Sequence, residues 1–141
     1  MYKNVMKLNF SAISENEALA RVVVAAFVGR LNPTLAEVME IKTAVSEAVT
    51  NAIIHGYEGM TGDLTVDLTC RINDKDVYVE ISDTGRGITD ITKAREPLYT
   101  SKPEMERSGM GFTVMEEFMD EVEVVSQDGK GTTIRLKKQI K

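Results

Sequence analysis

One amphipathic helix constrains the fold more than any other stretch of this chain. Its apolar side chains recur at helical spacing and predict one buried stripe, formed by Val38, Ile41, Val45, Val49 and Ala52. Thr34 and Glu37 have the spacing of a capping box directly after Pro33, and Gly56 is a C-terminal stop signal. The sequence therefore predicts a long helix that begins after Pro33, ends at Gly56 and packs against a core through one face.

Two polar residues of this helix are candidates for chemistry. Glu47 and Asn51 are four residues apart, so they share a face, and that face lies roughly opposite the apolar stripe. In most helices such a pair is only part of the solvated surface. Glycine-rich loops later in the chain favour another interpretation, because they occur where a nucleotide would meet the pair.

Alternating apolar and polar residues predict five strands. The inward residues of the first three are Met6, Leu8 and Phe10; Leu64, Val66, Leu68, Cys70 and Ile72; and Val77, Val79 and Ile81. Two closing strands, near 121–126 and 132–137, are joined by a glycine-rich hairpin at 127–131. These strands are expected to form a sheet with one face toward the helices.

Two further helices complete the predicted order of elements. Ser14 and Glu17 have capping-box spacing, and the helix after them carries an apolar stripe of Leu19, Val22, Val23, Ala26 and Phe27. A short helix opened by 108–111 carries Phe112, Met115, Phe118 and Met119. The order β-α-α-β-β-loop-α-β-β predicts one α+β domain over 1–141, a two-layer α/β sandwich with helices on one face of a mixed, mostly antiparallel sheet.

Composition argues against several classes of function. The net charge of −5 argues against direct binding to nucleic acid or to a membrane surface, since both need a basic face. A single cysteine, Cys70, excludes an internal disulfide and a cysteine-based zinc site, and its strand position predicts a buried, inert thiol. No apolar run approaches about eighteen residues and the N-terminus lacks a signal-peptide core, so a cytoplasmic protein is expected.

Three short motifs form a combined pattern. They are Glu47-x-x-x-Asn51 on a helix, Asp83-x-Gly85-x-Gly87 at a strand end, and Gly109-x-Gly111 at a helix start. Each alone is weak, because an Asp/Gly loop is often only a turn. In this order and on these elements they resemble the Bergerat ATP-binding fold shared by GyrB-type topoisomerases, Hsp90, histidine kinases and MutL, the GHKL superfamily.

The chemistry of each motif suits ATP. Asp83 can accept a hydrogen bond from the exocyclic amine of adenine, and a charged acceptor is stronger than a neutral one. Gly85 and Gly87 let the backbone approach the ring, where a Cβ would clash. Gly109 and Gly111 place backbone N–H groups at a helix N-terminus, which is a natural cradle for phosphate oxygens.

The phosphate end of the site has its own candidates. Asn51 can offer an amide oxygen to Mg²⁺, a hard ion that takes few protein ligands. Glu47, one turn earlier, would then lie near the γ-phosphate as a general base. Arg107, with Lys102 as a second candidate, can counter the triphosphate charge. His55 continues the same helix side, where a structural or phosphate-adjacent role suits it better than a phosphoacceptor role.

A polar stretch between strand and helix is the candidate lid. Residues 88–107 contain two prolines and show little periodicity, which predicts an ATP lid at about 88–108. The resemblance also places Thr132 or Thr133, directly after Gly131, beside the adenine pocket. A β-branched strand residue with a purely structural role is the equal alternative at that position.

A closer resemblance covers essentially the whole chain. The stretches that carry it are 10–12, 14–17, 46–57 (SEAVTNAIIHGY), 100–103, 107–112 (RSGMGF) and 118–121. They are similar to the sporulation anti-sigma-F factor family of endospore-forming bacteria. This resemblance implies further nucleotide contacts at Thr100, Ser101, Ser108, Met110 and Phe112.

The same resemblance implies an activity and partners. It implies a homodimer that, with ATP bound, holds the sporulation sigma factor F and blocks transcription. It also implies a serine kinase that uses ATP and Mg²⁺ to phosphorylate an anti-anti-sigma factor, with Glu47 as the base and Asn51 on the metal. Glu17 and Arg21 of the first helix would belong to the partner surface.

Two other functions remain open for the same nucleotide site. One is the catalytic half of a split histidine kinase, which would need a phosphoacceptor helix pair from another protein. The other is a binding module without kinase activity, in which ATP only shapes a sigma-binding surface. The role of Glu47 discriminates between a protein that transfers phosphate and one that only binds nucleotide and partner.

Overall fold

A five-stranded antiparallel sheet forms one layer of the protein, in a computed structural model that describes residues 3–88 and 111–141. Its strands are β1 (Asn4–Ser11), β2 (Thr65–Asn73), β3 (Asp76–Asp83), β4 (Glu121–Gln127) and β5 (Gly131–Gln139). Their order in the sheet is β1-β2-β3-β5-β4, and each neighbouring pair is antiparallel. The predicted fold class is confirmed, and among these strands the sheet is wholly antiparallel rather than mixed.

Helices form the second layer. In the described part of the chain they are α1 (Glu15–Val28), α2 (Leu35–Thr50) and α3 (Gly111–Phe118), with a short 3₁₀ turn at Gly29–Leu31 after α1. α2 packs against both α1 and α3 and also contacts β3 and β5. The predicted long helix is therefore the centre of its layer. In neither described segment is there a helix with the length and hydropathy that crossing a bilayer requires.

The strand pattern buries the residues expected from the alternation. Along β2 the residues Val66, Leu68, Cys70 and Ile72 are buried. Burial raises the pKa of the Cys70 thiol to about 12, because a thiolate is poorly solvated there. Cys70 is thus a buried, inert thiol, as predicted.

The predicted phase of α1 is wrong. Its buried residues are Ala20, Val24, Phe27 and Val28. Leu19 and Val22 of the predicted stripe are 45% and 61% exposed, and only Phe27 is buried in both descriptions. The helix is apolar almost all round between residues 18 and 28, so spacing alone does not select the inward face. Packing against α2 and the sheet makes that choice and leaves an apolar outer surface.

The two predicted helix caps also have different outcomes. The capping box of α2 is confirmed: the Thr34 hydroxyl accepts from the Glu37 N–H (3.1 Å), and Glu37 accepts from the Thr34 N–H (2.8 Å). Ser14, in contrast, has helical dihedrals (φ −57°, ψ −31°) and makes no side-chain cap bond. Its predicted capping box is therefore wrong, because a cap needs an extended backbone to fold its side chain over the first turn.

Glu37 has a second role at the other end of the chain. Its carboxylate also accepts a hydrogen bond from the backbone N–H of Lys141 (2.9 Å). The N–H groups of Lys141 and Thr34 hold the pKa of Glu37 below its ordinary value. The capping residue therefore joins the start of α2 to the chain after β5.

The caps lead to a matched test. We expect Thr34→Ala to lower the free energy of unfolding by about 1 kcal/mol, because the Glu37 N–H in the first turn of α2 loses its acceptor. Ser14→Ala should change it by less than about 0.5 kcal/mol, since that hydroxyl caps nothing. Urea titrations of both variants measure the difference, and equal losses would contradict the assignment of the caps.

Candidate functional site

The predicted long helix changes its winding before it ends. After Thr50 the segment Asn51–Gly56 is a π-helix, in which the Tyr57 N–H donates to the carbonyl of Ala52, five residues earlier (3.2 Å). The helical run ends at Gly56, as predicted, although Gly56 does not have the positive φ of a left-handed C-terminal glycine. A π-wound turn inside a helix is frequent at functional sites.

Gly56 is required for contact with Asp83. A Cβ on Gly56 would lie 2.7 Å from the Asp83 Cγ and 2.8 Å from either carboxylate oxygen. No real side chain makes such a contact, so only glycine lets the helix end meet this carboxylate. The end of the Glu47 helix and the end of β3 therefore form one structural unit.

Asp83 is a buried carboxylate at the last position of β3. It is 7% exposed, and its Oδ1 accepts a hydrogen bond from the Gly85 N–H (2.9 Å). Burial raises its pKa above the ordinary value, and the backbone N–H groups of Gly85 and Thr132 partly oppose that shift. A buried acceptor with few partners is suited to a ligand that donates a hydrogen bond.

The glycines after Asp83 pack against protein backbone. A Cβ on Gly85 would lie 1.8 Å from the carbonyl oxygen of Gly56, and that oxygen also accepts from the Arg86 N–H (2.8 Å). Gly87 has φ +78°, and its Cβ would lie 2.2 Å from the carbonyl oxygen of Gln127. The close approach in this structure is thus between protein segments, and contact of Gly85 and Gly87 with an adenine ring stays a prediction.

Glu47 lies at the opposite end of the helical run that ends at Gly56. We call this run, residues 47–56, the wall of the site. Its Oε2 would lie 3.3 Å from a Cβ at Gly111, the first residue of α3. The helical run from Glu47 to Gly56 thus connects the start of α3 to Asp83, about 13 Å away by the helical rise. Asn51 and His55 lie between these ends and are half-buried. Phe112 is buried in the core, and its contact with nucleotide stays a prediction.

The two candidate threonines lie on opposite faces of β5. Thr132 is buried and is the register partner of Asp83, with its Oγ1 2.9 Å from the Ser126 Oγ. Thr133 pairs with Ser82, and their hydroxyl oxygens are 2.8 Å apart on the other face. Thr132 is therefore the threonine on the Asp83 side of the sheet.

The remaining predicted site residues lie outside the described residues. They are Thr100, Ser101, Lys102, Arg107, Ser108, Gly109 and Met110, together with the lid at 88–108 except Ile88. The Ile88 N–H donates to the Ser126 Oγ (2.7 Å), which ties the first residue of the predicted lid to β4.

Sequence reasoning missed several residues that shape this site. Gly56 was interpreted as a stop and Gly131 as part of a hairpin. Gly131 has φ +98°, and a Cβ there would lie 2.1 Å from the Asp83 carbonyl oxygen. The Tyr57 hydroxyl accepts from the Thr84 N–H (2.9 Å). The only sequence signals for these contacts were the Gly56-Tyr57 and Gly129-x-Gly131 patterns. Such patterns do not identify the residues that the glycines contact in the fold.

The predicted partner residues lie on α1. The Glu17 carboxylate and the Arg21 Nε are 3.6 Å apart, an ion pair of residues four apart on the helix. The Arg21 Nε is shielded from solvent, and no hydrogen bond to it is found in residues 3–88 and 111–141. The exposed side chains of Leu19 and Val22 lie on the same helix.

Comparison with known proteins identifies the class of protein. The model of the histidine kinase-like ATPase domain family matches residues 10–138. Most of the chain is therefore a histidine kinase-like ATPase domain. Anti-sigma F factors of Clostridium botulinum (strain Eklund 17B / Type B) and Bacillus subtilis (strain 168) are 57% and 58% identical to it over 139 residues. The alignments cover 99% and 98% of this chain and 96% and 94% of those proteins. The chain belongs to the anti-sigma F factor family.

Solved structures show the same fold at low identity. The RsbU and RsbW domains of a Mycobacterium tuberculosis protein match with a TM-score of 0.65 and 19% identity, over 98% of this chain and 32% of that one. A histidine kinase domain from Erythrobacter litoralis matches with a TM-score of 0.58 and 17% identity, over 88% and 61%. At these identities the likeness supports the two-layer architecture only.

The contact between Gly56 and Asp83 generates one test. We expect Gly56→Ala to lower the free energy of unfolding by about 1–3 kcal/mol, because the new methyl group overlaps a buried carboxylate. Gly29→Ala is the control: φ is −53° and nothing lies within 4 Å of its Cβ, so a gain of about 0.4–1 kcal/mol is expected. Thermal unfolding compares the two, and similar stabilities would refute the packing role of Gly56.

The buried carboxylate of Asp83 leads to a second test. Asp83→Asn should weaken ATP binding about 10- to 100-fold, since a charge-assisted hydrogen bond of about 1.5–3 kcal/mol is lost. In the parent protein ATP affinity should fall as pH drops through a pKa above the ordinary 3.8, because the acceptor becomes protonated.

Calorimetric titrations across pH check both statements. The Asn variant should lack the carboxylate's contribution to the pH profile. Because burial raises the pKa, the ionised Asp83 costs stability at neutral pH, so without nucleotide Asp83→Asn should melt no lower than the parent. Undiminished ATP affinity in this variant would mean that adenine binds elsewhere.

Proposed function

We propose that this chain is an ATP-dependent anti-sigma factor and a protein serine kinase. The observation that carries the proposal is the helical run that meets the start of α3 at Glu47 and the buried Asp83 at Gly56. Such a wall suits a ligand with a hydrogen-bonding base at one end and phosphates at the other. The family assignment supports ATP as that ligand.

The adenine end is formed by Asp83 and its neighbours. The carboxylate is held by the Gly85 N–H and lies beside Thr132 in the sheet register. It offers a charged acceptor to the exocyclic amine of adenine in a site that water reaches poorly. Since hydrogen bonds are stronger in such surroundings, the base is recognised mainly here.

The phosphate end is formed by the start of α3 and by Glu47. Backbone N–H groups of the first helical turn point toward the helix N-terminus, where they favour anionic oxygens. In the transfer step the serine oxygen of the partner attacks the γ-phosphorus. The bond from that phosphorus to the bridging oxygen breaks, and ADP leaves. Glu47 accepts the proton of the serine hydroxyl.

Magnesium fits this arrangement through Asn51. The described residues contain no cluster of three or more His, Cys, Asp or Glu side chains that would hold a metal ion by themselves. An ion held mainly by phosphates and water needs only one or two protein oxygens, and the Asn51 amide lies one turn from Glu47. When bound, Mg²⁺ supplies positive charge that neutralises the phosphate oxygens.

The family supports a proposal for the partners. Relatives carry the name anti-sigma F factor, and we propose that this chain likewise binds the sporulation sigma factor F in the cytoplasm, as a homodimer. Its kinase substrate is then a serine of the anti-anti-sigma factor. The surface of α1 supports a partner contact, because Arg21 forms an ion pair with Glu17 there and Leu19 and Val22 are exposed.

Glu47 provides the test of the kinase. Glu47→Gln should reduce transfer of labelled phosphate from ATP to the anti-anti-sigma factor at least about 100-fold, because the general base is lost. ATP affinity should change less than about threefold. Glu117→Gln, on the exposed side of α3, is the matched control and should transfer normally.

The outcomes separate the candidate functions. Unchanged transfer in Glu47→Gln would eliminate Glu47 as the base. Absence of transfer in the parent protein, with ATP-dependent capture of sigma retained, would favour a nucleotide-gated binding module. Transfer to a histidine of a separate helical protein would favour the split histidine kinase.

Arg21 provides the test of the partner surface. Arg21→Ala should lower capture of sigma factor F in the presence of ATP at least about tenfold, since truncation of a central Arg in an interface is costly. Lys75→Ala removes a charge at the turn between β2 and β3 and should leave capture unchanged. Capture that is equal with and without ATP would contradict the nucleotide dependence.

A further inference from the structure

The tyrosine after the π-helix connects three parts of the fold. The Tyr57 ring belongs to the core, with 6% of the residue exposed. Its hydroxyl donates to the carbonyl of Thr65 at the start of β2 (2.6 Å) and accepts from the Thr84 N–H (2.9 Å). A phenol has one proton to donate, so its donor capacity is used inside the protein.

Tyr57 is the middle residue of a clasp, which we define as residues 56–58 against residues 84–86. On one side of it the Gly56 carbonyl accepts from the Arg86 N–H (2.8 Å). On the other side the Glu58 carboxylate is 3.0 Å from the Arg86 guanidinium. Three successive residues therefore hold the loop that follows Asp83.

The clasp fixes the backbone that aims the Asp83 carboxylate. The N–H groups of Thr84, Gly85 and Arg86 each have a defined acceptor: the Tyr57 hydroxyl, the Asp83 Oδ1 and the Gly56 carbonyl. Of these acceptors the Tyr57 hydroxyl is the side-chain group that comes from a distant part of the sequence. Without it, the peptide between Asp83 and Thr84 would lose its restraint, directly beside the carboxylate.

We propose that Tyr57 is a positioning residue for adenine selectivity: its hydroxyl holds the Thr84 N–H so that the Asp83 carboxylate is already aimed before nucleotide binds. This inference depends on the proposed function, because it assumes adenine at Asp83. It adds a residue that does not touch the ligand and acts through the carboxylate. A group held in advance improves binding mainly by avoiding the entropy cost of ordering it.

The experiment compares ATP with purine riboside triphosphate, an analogue that lacks the exocyclic amine. Tyr57→Phe should weaken ATP binding about tenfold and the analogue less than about twofold, so that the ratio of affinities falls. Tyr78→Phe is the matched control: this ring lies under Lys137 on the other face of β3, and the ratio should not change. Combined with Asp83→Asn, Tyr57→Phe should lower the ratio no further.

Each outcome has one meaning. An equal loss for both nucleotides, or the same fall of the ratio in the Asp83→Asn background, would leave Tyr57 with a merely structural role and overturn the inference. Equal ATP affinity in the parent and in Asp83→Asn would overturn the proposed adenine site, and this inference with it.

A second measurement does not depend on how Tyr57→Phe folds. In the parent protein without nucleotide, the Thr84 amide hydrogen should exchange slowly, because it is bonded to a buried hydroxyl. Slow exchange before ATP is added supports an Asp83 carboxylate that is already oriented in the nucleotide-free protein. Exchange at the rate of an unprotected amide would overturn it.

Discussion

The contact between two backbones, at Gly56 and Gly85, joins the end of the Glu47 helix to the loop after β3. A Cβ on Gly85 would overlap the Gly56 carbonyl oxygen at 1.8 Å, and a Cβ on Gly56 would overlap the Asp83 carboxylate. The Gly56 carbonyl is backbone and cannot rotate aside as a side chain does, so position 85 requires glycine. At position 56 the obstacle is the Asp83 side chain, which is buried and hydrogen-bonded to the Gly85 N–H and so has little room to move. The helix of Glu47 and the strand of Asp83 are thereby kept at one separation, which the proposed ATP site needs.

Where local structure depends on the side chains alone, the sequence was sufficient to predict it. The alternation along β2 predicted its buried residues, and the spacing of Thr34 and Glu37 predicted a capping box that the structure contains. The predicted buried face of α1 was wrong, because a helix that is apolar on nearly every side has no face that periodicity can select. The predicted capping box at Ser14 was wrong for a related reason, since cap spacing does not determine the backbone angles that a cap needs.

The site was predictable only in part. The residue types at 47, 51 and 83 predict a nucleotide site only in combination with the glycine loops, because an Asp/Gly loop alone is often only a turn. What Gly56 contacts was not predictable, since the meeting of residues 56 and 83 is a tertiary event that no local pattern encodes. The π-wound segment Asn51–Gly56 ends at the same contact, where the Gly56 carbonyl accepts from the Arg86 N–H.

That winding affects the alignment of polar side chains along the wall. In an α-helix each residue advances about 100°, so a side chain four positions further has drifted by about 40° around the axis. A π-wound segment has more residues in each turn and advances less per residue, so its drift over four residues runs the other way. The rotation gained from Glu47 to Asn51 is thus largely reversed on reaching His55. Positions 47, 51 and 55 are therefore nearly in one row parallel to the helix axis, whereas a continuous α-helix would spread them by about 80°.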